Sequence, residues 1–375
     1  MNIESMTTEQ LKQLKEVVDC LVSFSESAII ERNFIKNFYK YSLATEHGHT
    51  LYGNIKLFGA KSFRLTSNSP NLLNMPSTGT VYAKAVKKCF VAEPGWIIYQ
   101  VDLSALEDRV IANLSGDKNK LSLFLDNLDG HCLNSLYYFQ EEIESILPKE
   151  KNEDLPSYVK RYHKAVEEGN KELKAIRQKS KPCSFALAYG CFPKKLANTA
   201  KIPLEVAEQI FERYHEKLYP DISKFRDKTL STAKECGRIH LGLGCYINTY
   251  EPDKEIRTIF NARSQFWSIL TPLTINKFHD IVDADGLSDD IKVISTIYDS
   301  IYVHLRDDPE LIKYVNDLII PLITKDFLID QIVHNEAEGE VGYNWYDTAK
   351  VHNNASIEEI QEAVTKAKEL INAIC

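Results

Sequence analysis

Two aspartates stand where a carboxylate is costly to leave alone. Asp102 closes the apolar run that begins at Trp96, and Asp299 interrupts a second run from Val293 to Leu305. A carboxylate among apolar, β-branched neighbours needs a partner, and a divalent cation is one that suits it. The two lie 197 positions apart, so only a fold can bring them together. If their strands share one sheet, the pair can hold two Mg2+ ions about 3.5–4 Å apart, the arrangement of in-line phosphoryl displacement. Few, hard oxygen ligands suit Mg2+, which keeps water and substrate phosphates in its shell. The competing reading is a pair of structural strand-end aspartates.

A second group recurs every fourth residue: Arg177, Lys181, Phe185 and Tyr189. That spacing lays them on one slowly drifting helical face. Two cations followed by two aromatics offer one end to phosphates and the other to a base plane. The same spacing also fits an amphipathic helix with a solvated basic end and an aromatic core end.

The elements that must position these residues are partly readable. The run 96–103, bounded by Pro94-Gly95, predicts a buried strand with Asp102 near its C-terminal end, and the residues after it switch to a helical period. Residues 292–305 predict a hairpin turning at Tyr298-Asp299-Ser300. Residues 7–45 read as helical behind a capping box of Thr7 and Gln10, and Ser356 and Glu359 cap an amphipathic C-terminal helix. Residues 203–235 and 255–280 also read as helical, and 48–80 as irregular or short β structure. The charged stretch 141–181, with Pro148 and Pro156, predicts helices with an exposed insertion.

Composition bounds the class. The chain has 375 residues, 44% hydrophobic and 26% charged, which excludes disordered and low-complexity classes. It contains no stretch of about 20 apolar residues of the kind that spans a membrane, and its first residues do not read as a secretion signal. Eight cysteines include no C-x-x-C pair, so a structural zinc site is not expected and reduced cytosolic thiols are. A net charge of −8 argues against nucleic-acid binding, but its distribution reverses that. From 47 to 92 there is no acid, only Lys56, Lys61, Arg64, Lys84, Lys87 and Lys88. From 173 to 204 there is again no acid, with Lys174, Arg177, Lys179, Lys181, Lys194, Lys195 and Lys201. Two such windows imply a polyanionic partner.

These residues carry a family resemblance. DLSALEDR (102–109) resembles the first polymerase motif of the family A, DNA polymerase I-like enzymes. R-x3-K-x3-F-x3-Y-G (177–190) is similar to the second motif and YDS (298–300) to the third. RLTSNSPNLLNMP (64–76), RTIFNARSQ (257–265) and Asn344-Trp345 resemble further family segments, in order, from about 50 to 350.

The resemblance implies an α+β right-hand polymerase fold, with an antiparallel palm sheet, helical fingers and a thumb reduced or missing. It implies template-directed DNA synthesis from dNTPs on primer–template DNA, releasing pyrophosphate. Two Mg2+ ions would sit on Asp102, Asp299 and the Leu103 carbonyl. Arg177, Lys181 and His131 would hold the triphosphate, with Lys181 also the acid for pyrophosphate. Phe185 would pack beside the sugar, Tyr189 near the templating position, and Glu107 would be the gate against a ribose 2′-hydroxyl. Arg64, Asn71, Asn74, Arg257, Asn261 and Gln265 would contact the duplex, and Tyr298 and Ser300 the primer end.

The same resemblance divides the chain into a helical segment 1–50, palm 51–125, fingers 126–250 with an insertion at about 141–172, palm 251–350, and a C-terminal helix 351–375. It departs from the family at Tyr298 and Ser300, where cellular relatives have His and Glu, and at Leu73, where Gln is usual. Pro182 falls inside the second motif, where the expected solution starts a helix with Ser180 as N-cap and Pro182 in the first turn. Only about 50 residues come before the Arg64 segment, so the expectation is a split, phage-type enzyme in the bacterial cytoplasm, with thumb or 3′–5′ exonuclease on a separate chain. The helices at 7–45 and 356–372 are the expected docking elements. The alternatives are a single-subunit RNA polymerase, which Glu107 and Phe185 disfavour, and an inactive DNA-binding subunit, which the presence of both aspartates disfavours.

Overall fold

The computed structural model describes residues 6–372 apart from positions 47, 81 and 189. A five-stranded antiparallel sheet is built from β1 (Trp96–Leu103), β2 (Ile291–Ile297), β3 (Ser300–Arg306), β4 (Ala337–Gly342) and β5 (Thr348–Val351). Their spatial order is β5-β4-β1-β3-β2. Around it run α1 (Thr8–Ile30), α2 (Leu106–Ser115), α3 (Gly130–Tyr138), α4 (Leu155–Glu167), α5 (Lys171–Ala188), α6 (Pro220–Cys236), α7 (Pro252–Gln265), α8 (Leu270–Ala284), α9 (Pro309–Ile323) and α10 (Ile357–Asn372).

β1 sorts its side chains by the two-residue period of a strand. Ile97, Tyr99, Val101 and Leu103 are at most 2% exposed and face a core shared with α8, α9 and α10. On the other face exposure grows from Trp96 and Ile98 to Gln100 and Asp102. Each buried apolar side chain contributes about 1.5–3 kcal/mol, and a one-residue slip would carry Asp102 into the core. The apolar pattern therefore fixes which way Asp102 points. A second core joins α3, α4 and α5 through Leu133, Tyr158, Tyr162, Leu173 and Leu187.

Several sequence expectations change. The N-terminal helical stretch ends at Tyr41, and 42–45 form a short strand paired with 48–51. The stretch at 203–235 is helical as expected from Leu204, but as two segments divided at Tyr219, the second being α6. The stretch at 141–172 is not simply an exposed insertion, because Tyr158, Val159 and Tyr162 of α4 enter the second core. The C-terminal helix does not present a free docking face: Ile360, Ala363, Val364 and Ala367 are buried against β4, β5 and α9. α1, by contrast, buries none of its residues and leaves Leu21 and Phe24 62% and 73% exposed. Among the described residues no helix is long and apolar enough to cross a membrane.

Candidate active site

Asp102 and Asp299 meet at the open face of the sheet. The β1–β3 register sets Asp102 opposite Ser300, and β2 and β3 are joined by Tyr298 and Asp299 alone. The Leu103 N–H donates to the Asp299 carbonyl at 3.1 Å, pinning the turn beside the end of β1. Tyr298 takes φ +54°, a conformation uncommon for a bulky residue, to close so short a turn. The Ser300 hydroxyl donates to the Asp102 carboxylate.

Both acids are held above the ordinary carboxylate range. Burial is the larger cause at Asp299, pushed up to about 6, with the neighbouring Asp102 adding to it and Arg64 opposing. Burial also dominates at Asp102, where the Ser300 bond opposes it and the charges of Glu340 and Glu338 reinforce it. Asp102 still meets solvent, so it is crowded without being enclosed in the core. Neither aspartate forms an ion pair among the described residues.

That donor set fits a hard divalent cation: two adjacent carboxylates disfavoured as bare charges, with a main-chain carbonyl beside them. No cluster of three or more His, Cys, Asp or Glu accompanies them among the described residues. An ion here would complete its shell with water or phosphate oxygens, as Mg2+ does.

Glu107 lies in the first turn of α2, immediately after this strand. Its carboxylate accepts from the Arg64 guanidinium, whose carbon lies 4.8 Å from the centre of the Tyr298 ring. Arg64 therefore joins Glu107 to the aspartate turn. Sequence reasoning missed Arg109, which is 7% exposed. It donates to the carbonyls of Ser104 and His334 at 2.8 and 2.7 Å and to Glu336 at 2.5 Å, tying the β1–α2 connection to the approach to β4. Nothing local separates it from a surface arginine; two of its three partners lie more than 200 residues away.

α5 carries the second group. The helix is continuous through Pro182, so the expected start at Ser180 is wrong. The preceding turns pack Leu173 and Ile176 into the second core, and this packing extends the helix past a residue that cannot donate. Ser180 instead donates to the carbonyls of Arg177 and His131, at 2.9 and 3.3 Å.

Arg177 forms a two-point bond with Asp129, 3.0 Å from Nε and 2.6 Å from Nη2. Asp129 also caps α3 by accepting from Cys132 N at 2.7 Å. Burial works to raise the Asp129 pKa, but the Arg177 and Cys132 bonds together hold it far below the usual range. Arg177 is thus already engaged, whereas Lys181 has no ion pair among the described residues.

His131 stands edge-on to Phe185 at 6.0 Å, with Nδ1 buried and unpartnered. Burial lowers its pKa, and Asp129, Arg177 and Lys181 all act on it, so the four sit in one neighbourhood. Phe185 is 61% exposed. Tyr189 lies outside the described residues.

The polar residues expected on the duplex divide. Asn74 and Arg257 are exposed, and Asn261 and Gln265 half-buried. Arg257 packs beside Gly190, just past the end of α5. Asn71 is exposed but spends its carbonyl oxygen on Leu73 N at 3.1 Å, and Leu73 itself is buried. The basic windows are less free than the sequence implies. Lys61, Arg64, Lys88, Arg177 and Lys179 pair with carboxylates brought in from elsewhere in the chain.

The antiparallel sheet carries two neighbouring carboxylates, and the basic helix α5 packs in the second, helical core. The chain belongs to DNA polymerase family A, which matches residues 2–347. It is 25% identical over 249 residues to the thermostable DNA polymerase I of Thermus aquaticus, covering 66% of this chain and 26% of that one. It is 26% identical over 244 residues to DNA polymerase I of Chloroflexus aurantiacus, covering 65% and 23%. The chain thus spans about a quarter of the length of these curated relatives. Its fold is similar to the POL domain of Pol1 from M. smegmatis, solved in complex with DNA primer-template and dNTP. The TM-score is 0.70 at 18% identity, covering 91% of this chain and 56% of that one.

Proposed function

We propose that this chain carries out template-directed DNA synthesis, adding dNTPs to a primer 3′-hydroxyl and releasing pyrophosphate. The observation that carries the reading is the β1–β3 register, which sets Asp102 and Asp299 side by side at the open face of the sheet with no cationic side chain paired to them among the described residues. Two Mg2+ ions held there by Asp102, Asp299 and the Leu103 carbonyl would supply charge neutralisation at the phosphates and an acidified primer hydroxyl.

The chain's own residues do the rest. Lys181 meets the triphosphate as a point charge and gives a proton from Nζ to the departing pyrophosphate. Arg177 and His131 flank it, and Phe185 and Tyr189 offer faces to sugar and base. Glu107 closes the space a 2′-hydroxyl would need. Arg64, Asn71, Asn74, Arg257, Asn261, Gln265 and Tyr298 line the path of the primer–template. Residues 51–125 and 251–350 serve as palm and 126–250 as fingers. The bare apolar face of α1 supports docking of a separate chain that supplies thumb or exonuclease, in the bacterial cytoplasm.

Primer extension with Mg2+, dNTPs and a primed template tests this. Extension by the unaltered chain, lost in Asp102→Ala and in Asp299→Ala, is the expected result. Extension that survives either substitution would overturn the site assignment.

A further inference from the structure

A carboxylate is a poor gate by itself. A free glutamate has rotamers to swing aside, and its lone pairs accept a hydrogen bond from the hydroxyl it is meant to exclude. Here Glu107 is not free. It accepts from Arg64, and Arg64 lies over the Tyr298 ring, 4.8 Å from guanidinium carbon to ring centre. The Arg64 Nε is buried without a hydrogen-bond partner, so this guanidinium is held by one carboxylate and one aromatic face. The three residues come from separate segments and are all partly shielded, Arg64 and Glu107 at 27% and 29% exposure. Tyr298 in turn is fixed by a two-residue turn at φ +54°.

We infer that Tyr298 determines the selectivity for deoxyribose over ribose. Its ring holds Arg64, and Arg64 holds the Glu107 carboxylate in place and occupies the lone pairs that would otherwise welcome a 2′-hydroxyl. Tyr298 and Arg64 are positioning residues and Glu107 is the group that meets the sugar. The inference rests on the proposed gate role of Glu107.

The test is single-nucleotide incorporation with a dNTP and its matching ribonucleotide, read as the kcat/KM for the ribonucleotide divided by that for the dNTP. Because the ratio is internal to each preparation, partial loss of folded enzyme cancels. Tyr298→Ala is expected to raise relative ribonucleotide use about tenfold, through a lower ribonucleotide KM, the scale of a desolvated cation–π contact. Tyr298→Phe keeps the ring and is expected to keep the ratio. Arg64→Lys keeps the charge but loses the planar guanidinium, and is expected to raise the ratio even if Tyr298→Ala folds poorly. Adding Tyr298→Ala to Glu107→Ala is expected to change the ratio no further than Glu107→Ala does. If Glu107→Ala raises the ratio while Tyr298→Ala and Arg64→Lys do not, this inference falls and the gate stands. If Glu107→Ala itself leaves the ratio unchanged, the gate reading fails and takes the inference with it.

Discussion

Ser300 donates its hydroxyl hydrogen to the carboxylate of Asp102, its cross-strand partner in the β1–β3 register. The sequence implied a contact between Ser300 and the primer end. The bond instead gives the hydroxyl a use within the protein, orienting one oxygen of Asp102 and favouring its ionised form. A hydrogen bond to a charged group at a solvent-accessible site contributes about 1 kcal/mol. Ser300→Ala should therefore raise the Mg2+ concentration needed for half-maximal extension about fivefold, and Ser300→Thr should restore it. An unchanged Mg2+ midpoint with a raised KM for primer–template would return Ser300 to the DNA.

Asp299 predicts a stability that depends on pH in the opposite sense to an ion-paired acid. Its pKa is pushed up to about 6, by burial first and Asp102 second. A carboxyl with a higher pKa folded than unfolded favours folding while protonated. Its charge then costs stability progressively as pH rises from about 4 to above 6. Asp299→Asn removes that cost. Without divalent ions the variant should unfold at a higher temperature at about pH 7.5, by about 1–2 kcal/mol after solvent screening, with the gain gone near pH 3. Added Mg2+ should reverse the order, because only the unaltered chain gains from binding it. A variant less stable than the parent in EDTA at neutral pH would contradict the burial argument.

How much of this was legible follows from what periodicity encodes. The run from Trp96 carries an apolar face and an acid near its end, and β1 has the expected bounds. Thr7 with Gln10, and Ser356 with Glu359, form the reciprocal bonds that their spacing announced. What local pattern cannot encode is the partner. β4 inserts between β1 and β5 and sets Glu338 across from Asp102, yet nothing in its sequence names β1 as its neighbour. The basic windows read as free cations because their acids arrive from distant segments, as Glu107 does for Arg64 and Asp129 for Arg177. Pro182 was read by its local cost alone, and the packing of α5 overrides that cost.

The Arg177–Asp129 pair separates a structural from a ligand-binding role. Both side chains are shielded, at 17% and 16% exposure, and the bond is two-pronged. Arg177→Ala leaves a shielded carboxylate with its capping bond to Cys132 and His163 Nε2 3.8 Å away, and should destabilise the fold by about 3 kcal/mol in urea unfolding. Because the pair holds the Asp129 pKa low, its stabilisation is full above the unfolded value of about 4 and is lost as pH falls below it. Arg177→Ala should therefore flatten the acid limb of the stability curve. A large rise in KM for dNTP with no loss of stability would mean instead that Arg177 leaves Asp129 to serve the triphosphate.

Pro182 sits inside α5, one residue after Lys181 and three before Phe185. It withholds the N–H that would bond to Gln178, and its ring crowds the preceding turn. Hydroxyls partly re-cover the neighbouring carbonyls, with Ser180 donating to Arg177 and Ser184 to Ser180 at 2.9 and 3.1 Å. Pro182→Ala restores the ladder and should stabilise the chain by about 1–2 kcal/mol, less than the full cost of an interior proline because the site has already adapted. A proline inside a helix perturbs the turn before it, so the same change alters how the turn bonded to Asp129 is placed relative to the turns that carry Lys181 and Phe185. The stabilised variant should accordingly bind nucleotide less well, with KM for dNTP rising about fivefold and the extension rate at saturating dNTP little altered. Tighter folding with unchanged KM would show that α5 merely tolerates its proline and that the placement of Lys181 does not depend on it.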